Sequence, residues 1–299
     1  MAFLFALLLV FLYTKAHYAY RCVNFYGLEV PQRKFVCSWK HDPVWYLEKM
    51  KTNIHIDSVR LPFSYEYVSC SNMTDMDNFI NTCEKMGLQV ILDYHRGYED
   101  HQGPSPVETG ITKDMWINLL LTVLDRYEDK PHVKAIGLFN EFQGFDIKSS
   151  EDLQKEAVQA IEEAFPGRYE YMLSCVDWGK DCTNMWNTVP NNRSYVEMHS
   201  YGFSVGKPPT TKHKIFVGEI GWMPNQTDNV NQFKTIVMKK RIKDICLWTV
   251  AHSSDTKGLY QDDCETLNQD IADTFNSFFD WNHIPCLRGG QNQSSFHSR

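Results

Sequence analysis

Eight short apolar runs, most of them separated by a stretch with helical spacing, constrain this chain more than any other feature. They are CVNFYGLEV (22–30), DSVRLPF (57–63), LQVILDYH (88–95), HVKAIGLFN (132–140), RYEYMLSC (168–175), SYVEMHSY (194–201), KIFVGEIG (214–221) and DICLWTV (244–250). Between the early runs, apolar residues recur with a helical period. HDPVWYLEKMK (41–51) has Asp42 as a cap, Pro43 at the first helical position, and apolar Val44, Leu47 and Met50. DMDNFINTCEKMG (75–87) puts Met76, Phe79, Ile80 and Cys83 on one face and stops at Gly87. TKDMWINLLLTVLDRYE (112–128) continues the pattern, and SSEDLQKEAVQAIEEAF (149–165) opens on Ser149 and Asp152, close to a capping box. Helical patterns return at 229–239 and 265–279.

The runs are near-continuous rather than alternating. Strands of that kind are covered on both faces and belong to parallel sheets. Eight β/α units within 299 residues predict a closed (β/α)8 TIM barrel in a single domain, not an open doubly wound sheet. No run is followed by GxGxxG or GxxxxGK[ST], which argues against nucleotide-binding sheets. The segments around the fifth to seventh runs are rich in Asn, Gly and Pro, and FSVGKPPTTKH (203–213) predicts a short or missing sixth helix. The barrel is expected over 20–286, followed by a polar tail at 287–299.

In such a barrel the loops after the C-terminal ends of the strands form the active site. The polar residues collect at those ends: Arg60, His95, Asn140 with Glu141, His199 with Tyr201, Glu219 and Trp248. Singly, each has an ordinary structural explanation, such as a salt bridge for Arg60, a helix cap for Glu141 or core packing for Trp248. Their joint occurrence at successive strand ends is harder to produce by chance. Two carboxylates entering one pocket suit glycoside cleavage, in which one donates a proton to the leaving oxygen and the other stays ionised. Asn140 can bond a sugar hydroxyl, Arg60 and Tyr201 can hold the ionised carboxylate, and a Trp face can lie beneath a pyranose. A metal site built from His95, His199 and a glutamate fits less well, because HExxH and close His pairs are missing. A serine hydrolase would need GxSxG, and the nearest stretch, GFSVG (202–206), leads into no helical pattern.

These motifs, in this order, resemble glycoside hydrolase family 5, the cellulase family of retaining TIM-barrel glycosidases. NFYGLE, DSVRLPFS, LQVILDYHR, AIGLFNEFQG, VEMHSYG, IFVGEIG and LWT look like the family's strand motifs, from about Asn24 to Phe279. The resemblance implies that Glu141 is the acid/base and Glu219 the nucleophile. It implies that Asn140 contacts the sugar 2-hydroxyl, Arg60 and Tyr201 orient Glu219, and His199 bonds near Glu141. It further implies that His95 lines the −1 subsite and Trp248 stacks on its sugar. HDPVWYLEKMKTNIHIDSVRLPFSYE, and VDWG around Trp178, look closest to bacterial-type endo-β-1,4-glucanases. The implied activity needs no metal or organic cofactor. Two departures stand out: Phe142 occupies the position after Asn-Glu where the family favours Pro, and the Gly- and Pro-rich loop 96–111 lacks that subgroup's aromatic signature. β-Mannan and other β-glucans are the alternative substrates. A non-catalytic carbohydrate-binding or structural protein on the same fold is the alternative from another class, although such a protein has no physical need for both glutamates.

Lys and Arg number 30 against 37 Asp and Glu, a net charge of −7. That balance points away from nucleic acid and anionic membrane. The partner that the resemblance implies is a polysaccharide or oligosaccharide, and the chain is expected to be a monomer. The apolar run from Ala2 to Tyr13 has the length of a signal-peptide core, so 1–19 is expected to be a cleaved signal peptide with no membrane association afterwards, an N-terminal membrane anchor being the alternative. Sequons at Asn72, Asn192, Asn225 and Asn292, and nine cysteines, agree with secretion. Cys175 with Cys182, and Cys22 with Cys37, are close enough in sequence to pair, and the odd number leaves at least one cysteine over.

Overall fold

A computed structural model describes residues 19–210, 212–251 and 256–280. Residues 1–18 of the expected signal segment, the 287–299 tail and the Asn292 sequon lie outside the described residues. Eight parallel strands close into a barrel in sequence order: β1 (Arg21–Asn24), β2 (Ser58–Ser64), β3 (Gln89–Arg96), β4 (Val133–Gly137), β5 (Glu170–Ser174), β6 (Ser194–Tyr201), β7 (Ile215–Gly221) and β8 (Asp244–Leu247). The surrounding helices are α1 (Pro43–Ile54), α2 (Tyr65–Cys70), α3 (Thr74–Lys85), α4 (Lys113–Arg126), α5 (Ile147–Ala164), α6 (Thr227–Lys240) and α7 (Gln269–Ser277).

The helices start where side chains satisfy free backbone N–H groups. Asp42 accepts from the Trp45 N–H at the head of α1, and Pro43 takes the first helical position. The cap of α5 is Asp146, which accepts from Ser149 N, so the helix begins earlier than the expected Ser149. Ser64, at the end of β2, caps α2, a turn of helix that the sequence pattern does not announce. Between β5 and β6, and between β6 and β7, the described residues contain no helix, in line with the Asn, Gly and Pro content there. The first strand is shorter than its apolar run. It leaves the ladder after Asn24 because the chain turns at Gly27, whose φ of 138° suits glycine.

Two apolar layers result. The outward residues of the strands, among them Val59, Leu61, Leu92, Ile136, Val196, Val217 and Leu247, join the helices in one large core. The inward residues form a separate plug of Cys22, Ile91, Ala135, Met172, Tyr195, Phe216 and Cys246, closed below by Tyr20. Two residues further along several of these strands, on the same face, the interior turns polar: Asn24, Asp93, Ser174 and Glu197 are all buried. The polar site therefore rests on an apolar floor.

Barrel closure also decides the disulfides. Cys175 bonds Cys182 as expected, but Cys22 does not bond Cys37. Closure sets β1 beside β8 with Cys22 and Cys246 in register, and these two are bonded. Cys37 instead bonds Cys264, from the segment between β8 and α7. Cys70 and Cys83 are unbonded among the described residues.

Candidate active site

Seven of the expected residues converge at the C-terminal mouth of the barrel. Arg60 is fully buried, and its Nη1 donates to Glu219 Oε1 (3.0 Å) and Asn24 Oδ1 (2.8 Å). Its Nη2 donates to Asn140 Oδ1 at 2.8 Å, which turns the Asn140 amide nitrogen toward His95 Nε2, 3.3 Å away. His95 is held from behind by Asp93, 2.7 Å from its Nδ1. The Tyr201 hydroxyl donates to the second oxygen of Glu219. His199 Nδ1 lies 2.8 Å from Glu141 Oε1 and 3.6 Å from Glu219 Oε2. Carboxylate oxygens of Glu141 and Glu219 lie within 4.8 Å of each other.

A break in the strand period aims Glu219 inward. Phe216 belongs to the barrel interior and Val217 to the outer core, so strict alternation would turn residue 219 outward. The register of β6 against β7 slips instead, from Met198 opposite Val217 to His199 opposite Glu219. This one-residue bulge at Gly218 re-aims the carboxylate into the site, a frequent use of bulges beside active sites. Glu141 is placed by a different device. Its φ is 60°, in the left-handed region that costs a side-chain-bearing residue about 1 kcal/mol or more. Packing holds it there: the buried Phe142 ring meets Phe139 edge-on at 5.0 Å, and the Glu141 N–H donates to Ser174 Oγ. The Phe found where the family favours Pro thus anchors the loop in the core. Glu141 caps no helix, since that task falls to Asp146.

The two aromatic candidates are separated. Trp248 lies half-buried beside the site, its ring near-parallel to those of His95 (5.7 Å, 10°) and Tyr26 (5.7 Å, 22°). Trp178 sits on the rim and is 45% exposed. Its N–H donates to the Phe142 carbonyl, and the next residue, Gly179, accepts from His199 N, so it flanks Glu141. The exposed Phe203 ring stacks on Tyr201.

The environments of the two glutamates differ. Burial lifts the Glu141 carboxyl above its ordinary value, the neighbouring Glu219 charge adds to this, and the His199 hydrogen bond opposes it. Burial also works against Glu219, but His199, Arg60, His95 and the Tyr201 hydroxyl together hold it below the usual carboxylate range. His199 loses by burial as well, yet Glu219, Glu141 and Glu197 outweigh that and push it up to about 10. One carboxyl is thus set to keep a proton while its neighbour stays ionised. Among the described residues, Glu141, His199 and Glu219 form the one set of three side chains close enough to share a divalent ion. Both Glu219 oxygens already accept from Arg60 and Tyr201, which suits an ionised nucleophile better than a metal ligand.

Strand-end reasoning overlooks Asn24, Asp93, Glu197 and Gln102. Asn24 ties Arg60 to the Gly218 and Leu247 carbonyls. Gln102 bonds the His95 and Asn140 carbonyls from the loop after β3. Asp93 and Glu197 carry a readable signal: each stands two residues before a site histidine inside an apolar run, so its side chain faces the same way.

The family model for cellulase, glycosyl hydrolase family 5, matches residues 23–281. The chain belongs to glycosyl hydrolase family 5. An endoglucanase of Paenibacillus polymyxa is 26% identical over 250 residues, which cover 70% of this family 5 chain and 62% of that protein. The chain therefore spans less than two thirds of that curated relative. Among solved structures, the barrel is similar to an endocellulase from the archaeon Pyrococcus horikoshii, with a TM-score of 0.77, 17% identity and coverage of 88% of this chain and 93% of that one. It is also similar to the catalytic domain of the major endoglucanase from Xanthomonas campestris pv. campestris, with a TM-score of 0.75, 18% identity and coverage of 88% and 95%. At such identities the likeness shows the shared fold.

Proposed function

We propose that this chain is a retaining endo-β-glycosidase that hydrolyses β-1,4-linked glucan. One observation carries the retaining part: carboxylate oxygens of Glu141 and Glu219 come within 4.8 Å of each other. A double displacement uses carboxyl groups about 5–5.5 Å apart, whereas inversion leaves about 6.5–9.5 Å for a water. In the first step a Glu219 oxygen bonds the sugar C1 as the C1–O bond breaks, and Glu141 gives its proton to the departing oxygen. In the second step Glu141 takes a proton from water, the water oxygen bonds C1, and the C1–Glu219 bond breaks. Asn140 has an amide hydrogen free for the sugar 2-hydroxyl, and Trp248 offers its face beneath the ring that reacts. The name of the Paenibacillus relative supports glucan as substrate, as does the cellotetraose bound in complexes of the Pyrococcus endocellulase.

The same reading makes the chain an exported monomer whose residues 1–19 are removed. In support, the sequons at Asn72, Asn192 and Asn225 are exposed and three disulfides are present. No helix among the described residues is long and apolar enough to cross a membrane.

A reducing-end assay over cellulose, mixed-linkage β-glucan and β-mannan tests the activity, with the first-formed anomer followed by proton NMR. Cleavage of β-1,4-glucan with the β-anomer appearing first is expected, and Glu219→Gln should fold normally and lose at least about a thousandfold in kcat. An α-anomer as first product, or turnover that persists in Glu219→Gln, would remove the mechanism. Preference for mannan would move the substrate to that glycan.

A further inference from the structure

Beneath the two glutamates lies a third carboxylate that the mechanism above leaves unused. Glu197 stands on β6 two residues before His199, so its side chain enters the barrel on the same face, about 6–7 Å deeper. It is fully buried. Its Oε1 lies 2.9 Å from Arg60 Nη2 and 3.6 Å from His199 Nε2. Room for it comes from Gly218, the bulge residue of β7, where a β-carbon would overlap Glu197 Oε1.

Donors are scarce around it. Arg60 Nη2 has two hydrogens but three oxygens within 3.0 Å, from Asn140 (2.8 Å), Glu197 (2.9 Å) and Asp93 (3.0 Å). Asn140 receives a well-aligned bond, whereas Asp93 Oδ1 and both Glu197 oxygens lack one. His199 Nε2 is likewise buried without an aligned partner, and the nearest carboxylate to it is Glu197. A buried anion short of donors and a histidine nitrogen facing it are complementary only if that nitrogen carries a hydrogen. The other ring nitrogen lies 2.8 Å from Glu141 and also faces the ionised Glu219 at 3.6 Å, so it too is placed as a donor, and the arrangement calls for both nitrogens to be protonated.

We propose that Glu197 is a positioning residue that holds His199 as an imidazolium, clamped between Glu197 below and Glu141 above, and so fixes the acid/base for proton transfer. Also around His199 are Glu219 on β7, His95 and Asp93 on β3, and Arg60 on β2 with Tyr201 on β6, which bind Glu197 and Glu219; the loop after β5 sets the Gly179 carbonyl on the His199 backbone N–H. Of these, Glu219 also favours the cation, but it is engaged by Arg60 and Tyr201. Burial would otherwise strip the proton from a histidine in this position. A clamped imidazolium also stabilises Glu141 as it becomes an anion in the first step.

The inference rests on Glu141 and Glu219 being the working pair, and the test keeps the two ideas apart. The His199 ring is titrated by NMR in the full chain and in Glu197→Gln, with the resonance assigned through His199→Gln. The histidine should remain an imidazolium through neutral pH, and its titration should move at least one pH unit lower in Glu197→Gln. A smaller movement overturns the proposal, whether or not the protein cleaves glucan. Kinetics supply the second arm. On cellotetraose, whose leaving group needs protonation, Glu197→Gln should lose about tenfold or more in kcat/KM, which reports the first step. On a dinitrophenyl cellobioside, whose leaving group does not, the loss in kcat/KM should stay below about threefold. Equal losses on both substrates would mark a general structural defect and reject the positioning role. If Gln does not fold at this position, Glu197→Met fills the same volume without a buried amide and carries the same measurements.

Discussion

At the scale of single residues, the site is a problem of charge supply in a dry place. Arg60 is the guanidinium that three buried carboxylates share: Asp93, Glu197 and Glu219 all come within 3.0 Å of it. Burial pushes the Asp93 carboxyl up to about 8 against the pull of Arg60, whereas Glu219 and Glu197, despite burial, are held below the usual carboxylate range by His199 and Arg60. A pH profile follows with a definite sign. Glu219 must be ionised to attack and its pKa is lowered, so activity is lost as pH falls through that lowered value. Glu141 must be protonated to donate and its pKa is raised, so activity is lost as pH rises through that raised value. The profile of kcat/KM should be a bell whose acid limb lies below about 4.3, the ordinary Glu value, and whose alkaline limb lies above it. Glu141→Ala, assayed on a dinitrophenyl cellobioside, should abolish the alkaline limb. If that limb survives, Glu141 is not the group whose titration sets it.

At the scale of elements, irregularities in the strands decide where side chains point. β7 must present Phe216 to the floor, leave space for Glu197 and still turn Glu219 into the site. The bulge at Gly218 meets all three requirements. Gly218→Ala should therefore cost activity far more than fold. Displacing a reacting group by about 1 Å loses on the order of a hundredfold, so kcat should fall by about that factor or more while the circular dichroism spectrum is unchanged. Full activity in Gly218→Ala would show that Glu197 and Glu219 tolerate a different spacing. β4 uses the opposite device. Its ladder ends at Gly137, and the chain runs on through the outer core to a left-handed Glu141 pinned by Phe142.

At the scale of the whole molecule, closure of the barrel brings the ends of the chain together. β1 pairs with β8, and two disulfides lie on that seam, Cys22–Cys246 and Cys37–Cys264. The second joins residues 227 apart and ties the loop before α1 to the segment before α7, where the Tyr46 hydroxyl also donates to the Cys264 carbonyl. With Cys22–Cys246 already joining the two ends, this bond closes the much shorter loop through both bridges, and a loop of that size still restricts the unfolded chain by about 3 kcal/mol. Replacing both partners, Cys37→Ser with Cys264→Ser, should lower stability by about 2–5 kcal/mol. The measure is the midpoint of urea unfolding, at an m-value allowed to rise because the unfolded chain expands. An unchanged midpoint would mean that packing alone secures the seam.

Much of this architecture can be read directly from the chain. Continuous apolar runs can only be strands covered on both sides, and helical spacing between them leaves a parallel barrel as the economical solution. Polar groups at the ends of those runs then have one mouth to share, which is why Arg60, His95, Asn140, Glu141, His199, Tyr201 and Glu219 could be grouped before any coordinates. What stayed hidden depended on contacts between segments far apart in sequence. The partner of Cys22 was set by closure, 224 residues away, and not by the nearness of Cys37. The inward turn of Glu219 came from a register slip that strict alternation denies. Glu197 looked like one charge in an apolar run until β2 brought Arg60 beside it and Gly218 gave it space. Local periodicity determined which elements form and which face of each is apolar. Only tertiary structure decided which buried charges meet, because the cost of burying a charge depends on neighbours that the barrel supplies.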